Sequence, residues 1–197
     1  MKRLLITGFE PFGGESTNPS WDAVERLPDE VGGYTLTKLR LPVVFGLAAR
    51  TVLDAARELQ PDVILSIGQA GGRDAVTPEM VAINLCYASI PDNDGNQPKD
   101  EPIDKCGAAA CFSTVPTRRM SEAIADSGVP SRVSYSAGAY VCNEVLYSLL
   151  SSLDGGTRVG FIHVPYSDGQ GKEPFLAMAD IVKALTVAIE SLDKNNV

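Results

Sequence analysis

The 197 residues contain one histidine, His163, and four cysteines, Cys86, Cys106, Cys111 and Cys142. Two of these five stand where chemistry could be done. Cys142 lies in SAGAYVCNEVLY, where a glycine turn gives way to a helical pattern. A cysteine in the first turn of a helix feels unpaired amide N–H groups and the positive end of the helix dipole, which favour thiolate. His163 follows twenty-one residues later in FIHVP, at the end of a run that reads as a buried strand. A free thiol is mostly protonated at neutral pH, so a nucleophilic cysteine needs a base, and His163 is the only imidazole in the chain. If the strand before Cys142 and the strand of His163 are parallel neighbours, both side chains reach one sheet edge. The residues alone leave open that Cys142 is a small buried hydrophobe and His163 a satisfied core histidine. They do not select an acidic third member.

Two glycine-rich segments follow predicted strands. GQAGGR at 68–73 matches neither the dinucleotide fingerprint nor the phosphate-binding P-loop, and no helix clearly follows it. It reads as a tight turn. GFEPFGG at 8–14 puts Phe9 and Phe12 in a Gly/Pro-rich loop after the first strand. These two rings are either core residues or the walls of a site for a flat ligand.

The elements that must position these residues alternate in type. Strands are expected at Lys2–Thr7, Tyr34–Leu41, Asp62–Gly68, Met80–Cys86, Arg132–Ser136 and Val159–Val164. Helices are expected at Ser20–Leu27, Gly46–Leu59, Thr117–Asp126 and Val141–Leu153, with a last helix carrying Phe175, Met178, Val182, Leu185, Ile189 and Leu192 on one face. Residues 91–107 (PDNDGNQPKDEPIDKCG) read as a long loop, a length usually tied to function or contacts. The alternation predicts a single-domain α/β/α sandwich over 1–197 around a twisted, mostly parallel sheet. Ligand sites in such folds gather at the carboxyl ends of the strands, which is where Cys142 and His163 fall.

Composition excludes several function classes. Hydrophobic residues make up 44% and charged residues 21%, the balance of a globular chain. One histidine and the lack of a CxxC pair argue against a zinc site, and no metal is expected. The net charge of −8 disfavours nucleic acid and anionic membranes as partners. No apolar run approaches the length of a membrane span, and the amino terminus lacks a signal-peptide pattern. The expectation is a cytoplasmic protein with reduced thiols.

Eight segments in order, GFEPFGG, NPSW, LPVVF, GQAGGR, PEMVAIN, IPDNDGNQP, AGAYVCN and FIHVP, resemble pyroglutamyl peptidase type I, also called pyrrolidone carboxyl peptidase. The resemblance runs from residue 4 to about residue 190. It implies a cysteine peptidase with a Glu–Cys–His triad and no cofactor, often a homotetramer, that removes the N-terminal pyroglutamyl residue from peptides. On this match Cys142 corresponds to the nucleophile, His163 to the base and Glu79 to the acid. Phe9, Phe12 and Tyr140 resemble the ring pocket, Asn18 and Gln69 its polar contacts, and Val141 its lining. Pyroglutamate is a neutral, flat lactam, so apolar walls and a few amide hydrogen bonds would suffice to select it.

The chain departs from the family pattern at three places. Cys86-Tyr87-Ala88-Ser89 replaces a stretch that ends in arginine, Met80 stands where PER has an arginine, and Ser134–Ala139 replaces SNTAGT. Fewer arginines predict a higher Cys142 pKa. They also motivate an alternative reading, a weakened relative that binds lactams without turnover. A phosphorylase-like enzyme of the same architecture is the other alternative, against which stands the lack of clustered arginines.

Overall fold

The computed structural model describes residues 1–153 and 155–193; residue 154 and residues 194–197 of the expected 1–197 domain lie outside the described residues. The central sheet holds six strands: β1 (Lys2–Phe9), β2 (Glu30–Val31), β3 (Tyr34–Leu41), β4 (Val63–Gln69), β5 (Thr77–Pro78) and β8 (Arg158–Val164). Their spatial order is β2-β3-β1-β4-β8-β5. The four long strands β3, β1, β4 and β8 are parallel, and the two-residue strands β2 and β5 close the edges antiparallel. Apart from its edges the sheet is therefore parallel, as expected.

Alternation along the strands builds two cores. Leu4, Ile6, Leu65, Ile67, Ile162 and Val164 face one layer of helices, α1 (Pro19–Arg26), α3 (Thr117–Asp126) and α5 (Met178–Glu190). Leu5, Ile64, Val159 and Phe161 face the other layer, α2 (Leu47–Leu59) and α4 (Val141–Ser152). This is the α/β/α sandwich. Among the described residues, no helix is long and apolar enough to cross a membrane.

Three expectations about elements are corrected. The strand expected at Met80–Cys86 shrinks to β6 (Val81–Ile83), which pairs with β7 (Ala110–Phe112) in a ribbon outside the main sheet. The strand expected at Arg132–Ser136 is not one; only the bridges Val76↔Ser131 and Glu79↔Ser134 form beside it. The cause is Pro78. The backbone bonds Arg132 N–H to Val76 O and Ser134 N–H to Pro78 O are made, but the intervening donor would be the missing N–H of proline. The condition of parallel strands before Cys142 and at His163 is therefore not met, and β4 and β5 flank β8 instead. Finally, Phe175 does not join the last helix. With Leu176 it forms β10, paired with β9 (Tyr166–Ser167), and it is exposed, while α5 starts at Met178.

Candidate active site

The carboxyl ends of β1, β4 and β8 open onto one cavity of about 420 Å³, closed on its far side by the start of α4. Its lining includes Phe9, Phe12, Asn18, Gln69, Tyr140, Val141, Cys142 and His163, so eight of the nine site residues expected from sequence come together there. The ninth, Glu79, lies behind the cavity and is fully buried.

His163 occupies the penultimate position of β8, in register with Gly68 of β4 on one side and Thr77 of β5 on the other. Its Nδ1 is 2.7 Å from Glu79 Oε1. Glu79 follows β5 directly, and its backbone N–H donates to Phe161 O at 2.9 Å. With Nδ1–H donating to the carboxylate, Nε2 is left as the basic nitrogen. Oε1 also accepts from Arg73 Nη1 at 2.6 Å, while Arg73 Nη2 reaches Ser136 O at 3.2 Å. Burial raises the Glu79 pKa, but hydrogen bonds from His163, Ser134 and Arg73 outweigh it and hold the carboxyl below its ordinary value. Burial is the largest effect on His163 and lowers its pKa against the pull of Glu79. The resting imidazole is neutral beside a carboxylate, the state a general base requires.

Cys142 is the second residue of α4. The turn before it passes through Gly138, whose φ of 80° suits glycine. No side chain caps this helix, so its first amides are free to face an anion. The sulfur packs over Gly68, where a β-carbon would lie 2.9 Å from Sγ. Burial pushes the Cys142 thiol up to about 12, the Glu79 charge adds to this, and Arg73 opposes it. Burial, rather than the arginine replacements, is thus the largest influence on this thiol.

The walls of the cavity are aromatic. The Tyr140 ring stands edge-on to Phe45 at 5.2 Å and tilted to Phe12 at 6.2 Å, with its hydroxyl donating to Pro91 O at 3.1 Å. Gln69 Oε1 accepts from Gln170 Nε2 at 2.9 Å, which orients the amide and leaves its N–H groups for a ligand. Asn18 is more heavily committed. It is the N-cap of α1, accepts from Ser20 N–H at 3.1 Å and Ser20 Oγ–H at 2.8 Å, and donates to Glu10 O at 2.9 Å. It lines the cavity and also shapes the loop that carries Phe12; Phe9, expected in that loop, is instead the last residue of β1.

Gly68 and Gln69 of GQAGGR end β4 and the rest of the segment turns, with Gly72 at φ 84°; its Arg73 is spent on Glu79 and Ser136 rather than free for a phosphate. Arg73 is the site residue that sequence reasoning missed. Nothing in its spacing marks it; only the fold brings half-buried Arg73 to buried Glu79 as an ion pair. Of the two departures from arginine, the Met80 sulfur accepts from the Thr117 hydroxyl at 3.4 Å, and Ser89 lines a separate groove beyond Phe12 and Tyr140.

Known proteins resemble this chain over nearly its whole length. The family model described as pyroglutamyl peptidase covers residues 2–195. The pyrrolidone-carboxylate peptidase of Levilactobacillus brevis is 47% identical over 96% of this chain and 97% of its own. The crystal structure of pyroglutamyl peptidase I from Bacillus amyloliquefaciens superposes with a TM-score of 0.93 at 44% identity, covering 98% of this chain and 97% of that one. The pyrrolidone carboxyl peptidase from Thermococcus litoralis gives the same TM-score at 37% identity, over 98% and 94% of the two chains.

Proposed function

The chain belongs to the pyroglutamyl peptidase family, and we propose that it hydrolyses the amide bond after an N-terminal pyroglutamyl residue with Cys142 as nucleophile, His163 as base and Glu79 as the acid that orients it. The observation that carries the reading is the Glu79–His163 contact of 2.7 Å directly behind the cavity that Cys142 and His163 share.

The lactam ring lies among Phe9, Phe12, Tyr140 and Val141, and the Gln69 amide pairs with its polar edge, supported by Asn18. Among the described residues, no carboxylate lines the cavity, which suits a substrate without an α-ammonium group. His163 Nε2 takes the proton of the Cys142 thiol as sulfur attacks the carbonyl carbon. The uncapped amides at the start of α4 receive the developing oxyanion. The carbon–nitrogen bond breaks, the imidazolium protonates the leaving amine, and the acyl group remains as a thioester. His163 then takes a proton from water, hydroxide adds to the thioester, and the thiol leaves with that proton to regenerate the enzyme. Glu79 holds the correct tautomer and offsets the charge of the transient imidazolium. Arg73 holds Glu79 ionised, a positioning role.

The test is release of free pyroglutamate from pyroglutamyl-glycine amide, with prolyl- and glutamyl-glycine amides as controls. Cleavage of the first alone is expected. Equal cleavage of the prolyl amide, or none of the three, would refute the lactam assignment.

The proposal extends to one catalytic domain spanning 1–197, supported by the two cores sharing one sheet. It extends also to a cytoplasmic location, which four free thiols suit, and to self-association as a homotetramer, in keeping with the exposed rings of Phe112 and Tyr135. Light scattering at a mass of four chains supports the last; the mass of one chain refutes it.

A further inference from the structure

A second groove, of about 450 Å³, adjoins the catalytic cavity. The two share Phe12 and Tyr140 as a common wall. They are also joined along the chain at two places: Ala70 and Gly138 line the cavity, and their successors Gly71 and Ala139 line the groove. A peptide that leaves the Cys142–His163 centre past Ala70 and Gly138 arrives in this groove.

The groove is built rather than incidental. Tyr87 N–H donates to Ala139 O at 2.8 Å, and Tyr140 Oη–H donates to Pro91 O at 3.1 Å, so both ends of the 87–91 segment are tied to the turn that precedes Cys142. Between them, Gln97 Nε2 donates to Ser89 O at 2.9 Å and Lys99 Nζ to Ala88 O at 2.9 Å. The groove is also chemically uniform. Among the described residues its lining contains no charged side chain, and Tyr87 and Ile90, which line it, keep 42% and 44% of their surface exposed. The Lys99 ammonium sits 5.0 Å from the Tyr87 ring centroid, bonded to backbone.

We infer that this groove receives the side chain of the residue after pyroglutamate, and that it selects an uncharged apolar or aromatic side chain there. The inference rests on the activity proposed above. Transfer of an apolar side chain out of water onto Tyr87, Ile90 and Ala139 favours binding, whereas a charged one would lose hydration, and the nearby Lys99 ammonium is already engaged by the Ala88 carbonyl and the Tyr87 ring. Because the residue in the groove belongs to the leaving peptide, the gain appears in the acylation step and so in kcat/KM.

The experiment compares kcat/KM for five peptide amides, pyroglutamyl-glycine, -leucine, -phenylalanine, -glutamate and -lysine. Leucine and phenylalanine should exceed glutamate and lysine by about tenfold or more. Ile90→Ser should collapse the leucine-to-glutamate ratio towards one. Ser89→Arg, an exposed substitution, should shift that ratio towards glutamate by about tenfold while leaving lysine poor. If all five are cleaved within about twofold of one another, or both variants leave the ratios unchanged, the groove is not the subsite although the activity stands. If none is cleaved, the glycine amide included, both readings fall together.

Discussion

Gly68 and Cys142 meet because the space for a side chain at position 68 is already taken by the Cys142 sulfur: a β-carbon there would lie 2.9 Å from Sγ and 2.8 Å from the ring of Phe161. Gly68 is also the register partner of His163 on β4. One missing side chain thus lets helix α4 drop its thiol onto the sheet beside the imidazole. Gly68→Ala should cost about 1–3 kcal/mol of stability by overpacking, and displacement of the sulfur should lower kcat at least about tenfold. Denaturant melts alongside kcat check both. An alanine variant with wild-type kcat would show that the sulfur need not sit there.

Glu79→Gln keeps the shape of the buried acid and removes its charge. The amide can present its N–H to Nδ1 and favour the wrong tautomer, so kcat should fall by about two to four orders of magnitude with KM little changed. Steady-state kinetics on a pyroglutamyl amide measure the split.

Arg73 lowers the pKa of both His163 and Cys142. Replacing it by methionine removes a positive charge that disfavours imidazolium and favours thiolate. Both pKa values should rise, so the acid limb of kcat/KM and the base dependence of thiol alkylation should move to higher pH together. Arg73→Lys should restore part of each shift.

The resting thiol is protonated, with burial pushing it up to about 12. Alkylation of Cys142 by iodoacetamide should therefore climb by roughly tenfold per pH unit from pH 7 to 9 without a plateau. A rate that levels off near pH 6 would identify a stable thiolate–imidazolium pair instead.

Glu144 sits two residues after Cys142 in the same helix turn, buried, with its pKa raised by burial to about 7. The folded state prefers the neutral acid, so this group supports stability below its unfolded pKa, and that support is lost as pH rises from about 4.5 to about 7. Glu144→Gln should remove up to about 3 kcal/mol of this pH dependence and raise Tm at pH 8 more than at pH 4. Thermal melts at the two pH values test it.

The layered fold was legible because its long strands and helices bury nearly continuous or periodic apolar faces, and β1, β4 and β8 are buried in uninterrupted runs broken in type only by residues such as Thr7, Ser66 and His163. The segment 132–136 has the same β-branched look, yet it fails as a strand through a proton missing on its neighbour, Pro78, fifty-odd residues earlier. Phe175 fits the helical spacing but is claimed by pairing with Tyr166. At the site, Cys142 and His163 carry scarce chemistry and were visible by residue type. Glu79 needed the family resemblance, because carboxylates are common and its value comes from lying 2.7 Å from Nδ1. Arg73 was invisible, since an ion pair with Glu79 is a property of the folded chain alone.

The central claim is that Cys142 carries the pyroglutamyl group. Intact-protein mass spectrometry after acid quench during turnover of a pyroglutamyl ester tests it most directly. The wild-type chain should gain the mass of one pyroglutamyl group, mapped to Cys142 by peptide analysis, and His163→Ala and Cys142→Ala should gain none. Turnover persisting in Cys142→Ala, or an adduct mapped to Cys86, Cys106 or Cys111, would contradict the account.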